Sequence, residues 1–168
     1  AAARSVPGAE AILSVTTGFG DALSESWRVH SNGFEGSKRT TDFWVSAMVS
    51  VRDADGRRPE DWDAAGGRHR SAIPPAEEGG SRAATRALSR RGARKGASGL
   101  TTLVVDPRGA GRLLSALFDP LSAAALQQKR SFLEGKIGER VGSELLDVGD
   151  DPLVVRGLGS RLFDGEGM

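Results

Sequence analysis

The sequence has 168 residues, 38% of them hydrophobic and 27% charged, with a formal net charge of +1, two His and no Cys. That length fits one domain or two small pieces and buries a core without staples, while the missing thiols exclude disulfides, thiolate metal sites and a cysteine nucleophile. No apolar run approaches the ~20 residues of a membrane helix and no export signal opens the chain, so a soluble, cytoplasmic protein is expected, with no overall pull towards nucleic acid or lipid.

In chain order, residues 9–16 have strand-like content, and Gly18-Phe19-Gly20 is expected to interrupt it. Trp27 and Val29 alternate with Arg28 and His30 up to Asn32-Gly33, a pair suited to the two left-handed positions of a tight hairpin turn. Residues 40–51 place Phe43, Val45, Ala47, Val49 and Val51 on one face of a strand and Asp42, Trp44, Ser46, Met48 and Ser50 on the other. The turn Asp53-Ala54-Asp55-Gly56 ends that strand, and residues 59–64, containing Trp62, complete an antiparallel meander. After the extended Pro74-Pro75, residues 76–95 read as a helix. Its narrow apolar stripe of Ala83, Ala84, Ala87 and Leu88 runs beside Arg82, Arg86, Arg90, Arg91 and Arg94, and Glu77 and Glu78 occupy its first turn, as the macrodipole favours.

Gly96-Ala97-Ser98-Gly99 reads as a linker, and the main boundary is placed there, separating 1–97 from 98–168. Residues 101–105 read as a short buried strand. Asp106-Pro107 supplies the N-cap and first-turn proline of a helix running through Leu113, Leu114 and Leu117. Asp119-Pro120 repeats that start signal for a short helix over 121–129. Glycines at 135, 138, 142, 149, 157, 159, 165 and 167 argue against a long regular element beyond Arg130, so short strands at 145–148 and 153–155 joined by loops are expected.

Few residues offer chemistry. His30 and His69 are far apart in sequence and neither has a second histidine near it, unlike the paired ligands of a zinc helix. Asp150-Asp151 before Pro152 reads as a turn whose carboxylates accept backbone hydrogen bonds. The stretch 92–99 lacks the terminal Lys-Ser or Lys-Thr of a phosphate loop. Residues 80–95 hold six Arg or Lys and no acid, a candidate phosphate-binding face, but without interleaved aromatics the plainer reading is a solvated face or salt-bridge partners.

From Arg130 onward the motifs Arg130-Ser-Phe-Leu-Glu-Gly-Lys-Ile-Gly138, Gly142-Ser143, Asp150-Asp-Pro152, Gly157-Leu-Gly-Ser160 and Phe163-Asp-Gly-Glu-Gly167 resemble the TldD/PmbA (TldD/TldE) family. The resemblance extends upstream through Ser31-Asn-Gly33 and Leu103-Val-Val-Asp-Pro107. It implies an internal fragment of a two-part protein of about 450 residues: 1–97 would be the end of an N-terminal α/β region and 98–168 the start of a β-rich C-terminal domain. The expected fold class is therefore α/β to α+β, an antiparallel meander plus helix followed by the helix-containing start of that second domain.

The family resemblance also implies a function. It joins a zinc metalloprotease subunit, TldD, to a companion, TldE or PmbA, in a complex that cleaves unfolded peptides, with roles in peptide-antibiotic maturation and antitoxin removal. The catalytic type carries His-Glu-x-x-x-His on a helix corresponding to about residues 113–119 here, which read Leu-Leu-Ser-Ala-Leu-Phe-Asp and contain neither residue. That departure points to the PmbA/TldE-like branch, with no catalytic or metal residue and no cofactor in this chain, zinc in a TldD-like partner, and Leu113, Leu114, Leu117 and Phe118 filling the volume of the metal site. Ser131, Phe132, Gly135, Gly138, Asp164 and Glu166 are then the candidate interface or peptide-chamber residues. Among matching positions, Gly135, Gly138, Gly157 and Gly159 would serve tight turns, and Phe132, Ile137, Leu158 and Phe163 would be core or interface anchors. Two other classes remain open: a self-sufficient metallopeptidase with its site elsewhere, and a nucleic-acid-binding module using 80–95.

Overall fold

Three antiparallel strands, β1 (Ile12–Val29), β2 (Glu35–Val51) and β3 (Glu60–Gly67), form a sheet in chain order with β2 at its centre. The computed structural model describes residues 1–168 and divides them into two units, Ala1–Lys95 with Asp150–Met168, and Gly96–Gly149. Period-two alternation does what it should on β2: Ala47, Val49 and Val51 are buried, Phe43 and Val45 half-buried, while Trp44 and Met48 stand on the opposite, exposed face. Against them pair Thr17 with Ala47, Val15 with Val49 and Ile12 with Val51. A bulge between Ile12 and Ser14 reverses the parity of β1, so that even-numbered Ile12 and odd-numbered Val15 both reach the core.

The expected interruption at Gly18-Phe19-Gly20 does not occur, because β1 continues through it for 18 residues. These glycines are room for a neighbour rather than punctuation: a Cβ on Gly18 would come 2.8 Å from the Trp44 ring, and one on Gly20 would overlap the indole. The hairpin turn is also of another type. Gly33 alone is left-handed (φ 92°), and its N–H donates to His30 O while His30 N–H donates to Phe34 O, giving a longer loop with a single glycine in the αL position.

Helix α1 (Ala76–Ser89) lies on the inner face of the sheet through Ala83, Ala84 and Ala87, all fully buried, which pack with Val49, Val51, Ile12 and Ala3. Alanine removes the steric layer between helix and sheet, and Val49 and Val51 contribute about 1.5–3 kcal/mol each by burial. The helix ends at Ser89, earlier than the basic run suggests, and the chain turns at Arg90 to Gly92, whose φ is 69°.

In the second unit, α2 (Pro107–Phe118) starts where the capping signal says: Asp106 accepts the Arg108 N–H at 2.9 Å. Asp119-Pro120 opens only a 3₁₀ turn, and α3 (Ala123–Gln127) is capped instead by Ser122, whose hydroxyl accepts the Ala125 N–H. The strands expected at 101–105, 145–148 and 153–155 are absent, for none has a ladder partner to satisfy its backbone. Leu103 and Val104 are exposed rather than buried, and the two later segments are turns in which Leu145 N–H donates to Ser143 Oγ and Leu153 N–H to Asp151 Oδ1. The fold class is α+β: a three-stranded antiparallel meander plus helices.

Candidate functional site

The basic helix is answered by carboxylates on the sheet. Asp61 and Asp63 of β3 lie opposite Val49 and Ala47, hence on the inner face, and both are buried. Arginines spaced four apart on α1 and at its C-cap meet them: Arg82 Nε and Arg86 Nη1 donate to Asp63 at 2.9 and 2.6 Å, and Arg90 Nε, just past the helix, lies 2.9 Å from Asp61. The charged hydrogen bonds to Asp63 raise the Arg82 pKa further. A period-two pair of acids on one element and a period-four row of arginines on another were both readable, but only packing shows them to be partners. At the end of β2, buried Asp53 accepts N–H groups from Gly92 at 2.9 Å and Ala54 at 2.8 Å and pairs with Arg57; those backbone donors hold its carboxyl below the usual range.

A cavity of about 400 Å³ lies between the inner face and the start of α1, lined by Val15, Thr17, Phe19, Val45, Pro75 and Glu77 among others. Its walls are mainly apolar, and Asp63 and Arg82 at its edge are spent on each other. No nucleophile and base come together there.

The histidines make structural contacts. His30 packs on Phe34 with ring centroids 5.3 Å apart, and His69 Nδ1 caps the short turn at Arg70–Ala72 by accepting from Ser71 N.

The six singled-out residues fall into two groups, one in each unit. Ser131 is a buried loop staple: its hydroxyl donates to Pro120 O at 2.6 Å and accepts the Leu133 N–H. Gly135 and Gly138 take left-handed backbone (φ 74° and 82°), as tight turns require. Phe132 is 62% exposed, and Ile137 and Leu158 are exposed too, so none of the three anchors a core within this chain. In the first unit, Asp164 and Glu166 share one turn. Asp164 Oδ1 accepts from Glu166 N at 2.8 Å and Met168 N at 3.0 Å, and donors of this kind, with Met168 foremost, lower its pKa. Glu166 is exposed. Phe163 does anchor, edge-on to Phe34 at 5.2 Å. Of the four expected anchors it is the one that packs within this chain, and its partner Phe34 is what the sequence left unnamed.

Helix α2 carries Leu113, Leu117 and Phe118 half-exposed, so within this chain they fill no core. Neither it nor any other part of the structure brings together three or more His, Asp or Glu in an arrangement able to hold a metal ion.

Residues 98–168 match the model of the PmbA/TldA metallopeptidase C-terminal domain. A metalloprotease PmbA homolog of Buchnera aphidicola is 32% identical over 89 residues, 53% of this chain and 20% of that protein. A metalloprotease of Methanothermobacter thermautotrophicus is 37% identical over 93 residues, 55% of this chain and again 20% of the relative. The chain thus spans about a fifth of these relatives' length. Among solved structures, a Bacteroides thetaiotaomicron protein described as a candidate modulator of DNA gyrase superposes with a TM-score of 0.88 at 36% identity, covering 99% of this chain and 38% of that one. A Thermotoga maritima protein described in the same words gives a TM-score of 0.74 at 26% identity, with coverages of 99% and 39%.

Proposed function

We propose that this chain, whose residues 98–168 match the PmbA/TldA metallopeptidase C-terminal domain, is part of a PmbA/TldE-like subunit of the TldD/PmbA family that leaves zinc chemistry to a TldD-like partner. The observation that carries this reading is α2. Where the family's catalytic type has His-Glu-x-x-x-His, its last two turns present Leu113, Leu114, Leu117 and Phe118, which supply no imidazole to bind Zn²⁺ and no carboxylate to serve as base. The subunit would act on unfolded peptides within a TldD/TldE-type complex in the cytoplasm, in peptide-antibiotic maturation or antitoxin turnover. No helix here is long and apolar enough to cross a membrane. Ser131, Phe132, Gly135, Gly138, Asp164 and Glu166 are carried forward as interface or peptide-chamber positions; exposed Phe132 and Glu166 suit that role better than Ser131 and Asp164, whose polar atoms are engaged within the chain.

The test is metal analysis of the isolated full-length protein together with peptide cleavage, with and without a TldD-like subunit and a chelator. Expected are no stoichiometric zinc and cleavage only in the mixture, abolished by chelation. One tightly held zinc per isolated chain, with activity alone, would replace this reading by a self-sufficient metallopeptidase whose site lies outside these residues. The nucleic-acid reading is weakened by Arg82, Arg86 and Arg90, which are engaged by Asp63 and Asp61.

A further inference from the structure

We infer that residues 163–167 form a releasable clasp on the tip of the β1–β2 hairpin, with Asp164 as its positioning residue. Strand β3 accompanies β2 only up to Phe43, so residues 21–29 and 35–42 form a two-stranded ribbon with no third strand beside it. Such ribbons are marginal by themselves. Two attachments hold this one within its unit. At its base, Arg68 Nη1 grips both Asp42 oxygens at 2.6 Å while Nη2 donates to Leu158 O at 2.6 Å. At its tip, Arg28 Nη1 donates to Asp164 O at 2.6 Å and Phe34 meets Phe163 edge-on.

The tip contact is shaped from both sides. A Cβ on Gly36 would stand 2.9 Å from the Phe163 ring, and one on Gly167, already left-handed at φ 89°, would stand 2.5 Å from the Phe34 ring. Asp164 ties the turn that presents Phe163: its N–H donates to Met168 O at 2.9 Å and its carboxylate accepts the Glu166 and Met168 N–H groups. The polar contacts of the clasp are exposed to solvent. A small attachment of this kind opens at the low end of the local-stability range, without unfolding the sheet beneath it. When closed it fixes the direction of the ribbon face that carries Leu23, Trp27 and Val29, all exposed; when open it frees that face.

Amide hydrogen exchange on the full-length protein tests this. In Phe163→Ala and Asp164→Ala, amides 27–37 exchange at least about tenfold faster, while amides of α1 stay within about twofold. Asp164→Asn retains Oδ1 as acceptor and restores slow exchange. Gly165→Ala, where no atom lies within 4 Å of the added Cβ, changes nothing. Unchanged exchange at the tip overturns the clasp, as does an equal rise across the sheet, which would make the turn ordinary core. Should Phe163→Ala fail to fold, Arg28→Ala removes the bond to the Asp164 carbonyl and the charge beside its carboxylate, leaves the Phe163–Phe34 contact in place, and reads the same amides, with the same two overturning results.

Discussion

Trp44 lies across the backbone of Gly20, its cross-strand partner, so closely that a Cβ on that glycine would overlap the indole. The ring cannot move inward, because the sheet backbone is beneath it. Gly20→Ala should therefore destabilise the protein by about 1–3 kcal/mol, the usual cost of overpacking. In a Trp44→Ala background the same substitution should cost little, since the clash is gone. Urea unfolding of the four proteins checks both statements; equal costs in the two backgrounds would refute the contact.

The inner face predicts a different response. Val49 is fully buried between Ala83, Ala84 and Ala87 of α1 and the flanking strands, in a core made mostly of small side chains. Val49→Ala opens a cavity that alanines cannot close, and should cost about 2 kcal/mol. Met48→Ala, one residue away on the exposed face, should cost well under half of that, as measured by the same denaturation curves.

Asp63 joins two arginines, and its removal should be felt by both. Asp63→Ala should lower stability by about 2 kcal/mol, the scale of losing charge-assisted hydrogen bonds at a half-buried site. Arg86→Ala should then cost much less in the Asp63→Ala background than in the wild type, and a coupling near zero in the double-mutant cycle would show the pair to be idle. The same variant tests the basic helix: freeing Arg82 and Arg86 should increase salt-sensitive retention on a polyanion, with no such retention in the unaltered protein.

Asp53 makes the fold acid-sensitive. Its carboxyl is held below 3.8 by the Gly92 and Ala54 N–H groups, so the unfolded chain takes up the proton first. The stabilisation it supplies is complete above the ordinary carboxylate value and is lost as pH falls through the depressed one. Thermal unfolding of Asp53→Asn should therefore be lower than wild type at pH 7, and the two should converge as pH drops below about 3.8. A gap that persists unchanged into strong acid would exclude titration of this group.

Much of the first unit was legible because its signals are local. Alternation on residues 40–51 and Gly56, like the Asp106-Pro107 cap in the second unit, each specify backbone geometry with their own neighbours, and each is found as read. The errors share another cause. Gly18 and Gly20 looked like breaks because a glycine's meaning depends on what approaches it, and Trp44 is 24 residues away from Gly20. Residues 101–105 and 153–155 have strand content but no strand to pair with, and a ladder needs two sides. Of the candidate residues, Gly135 and Gly138 were legible through backbone preference, whereas the Ser131 hydroxyl turned to Pro120 O, eleven residues back, a partner that no spacing reveals.

By itself, the amino-acid order settled the antiparallel meander, the absence of thiol chemistry, the lack of His and Glu on α2, and the resemblance to the TldD/PmbA family, because each depends on which residue stands where along the chain. Tertiary structure alone decided what those residues do to one another. It set the basic face of α1 against Asp61 and Asp63, laid Trp44 over two glycines, and closed Phe163 on Phe34. Charge neutralisation and close packing act through space, between residues brought within a few ångströms by elements that lie far apart in the chain.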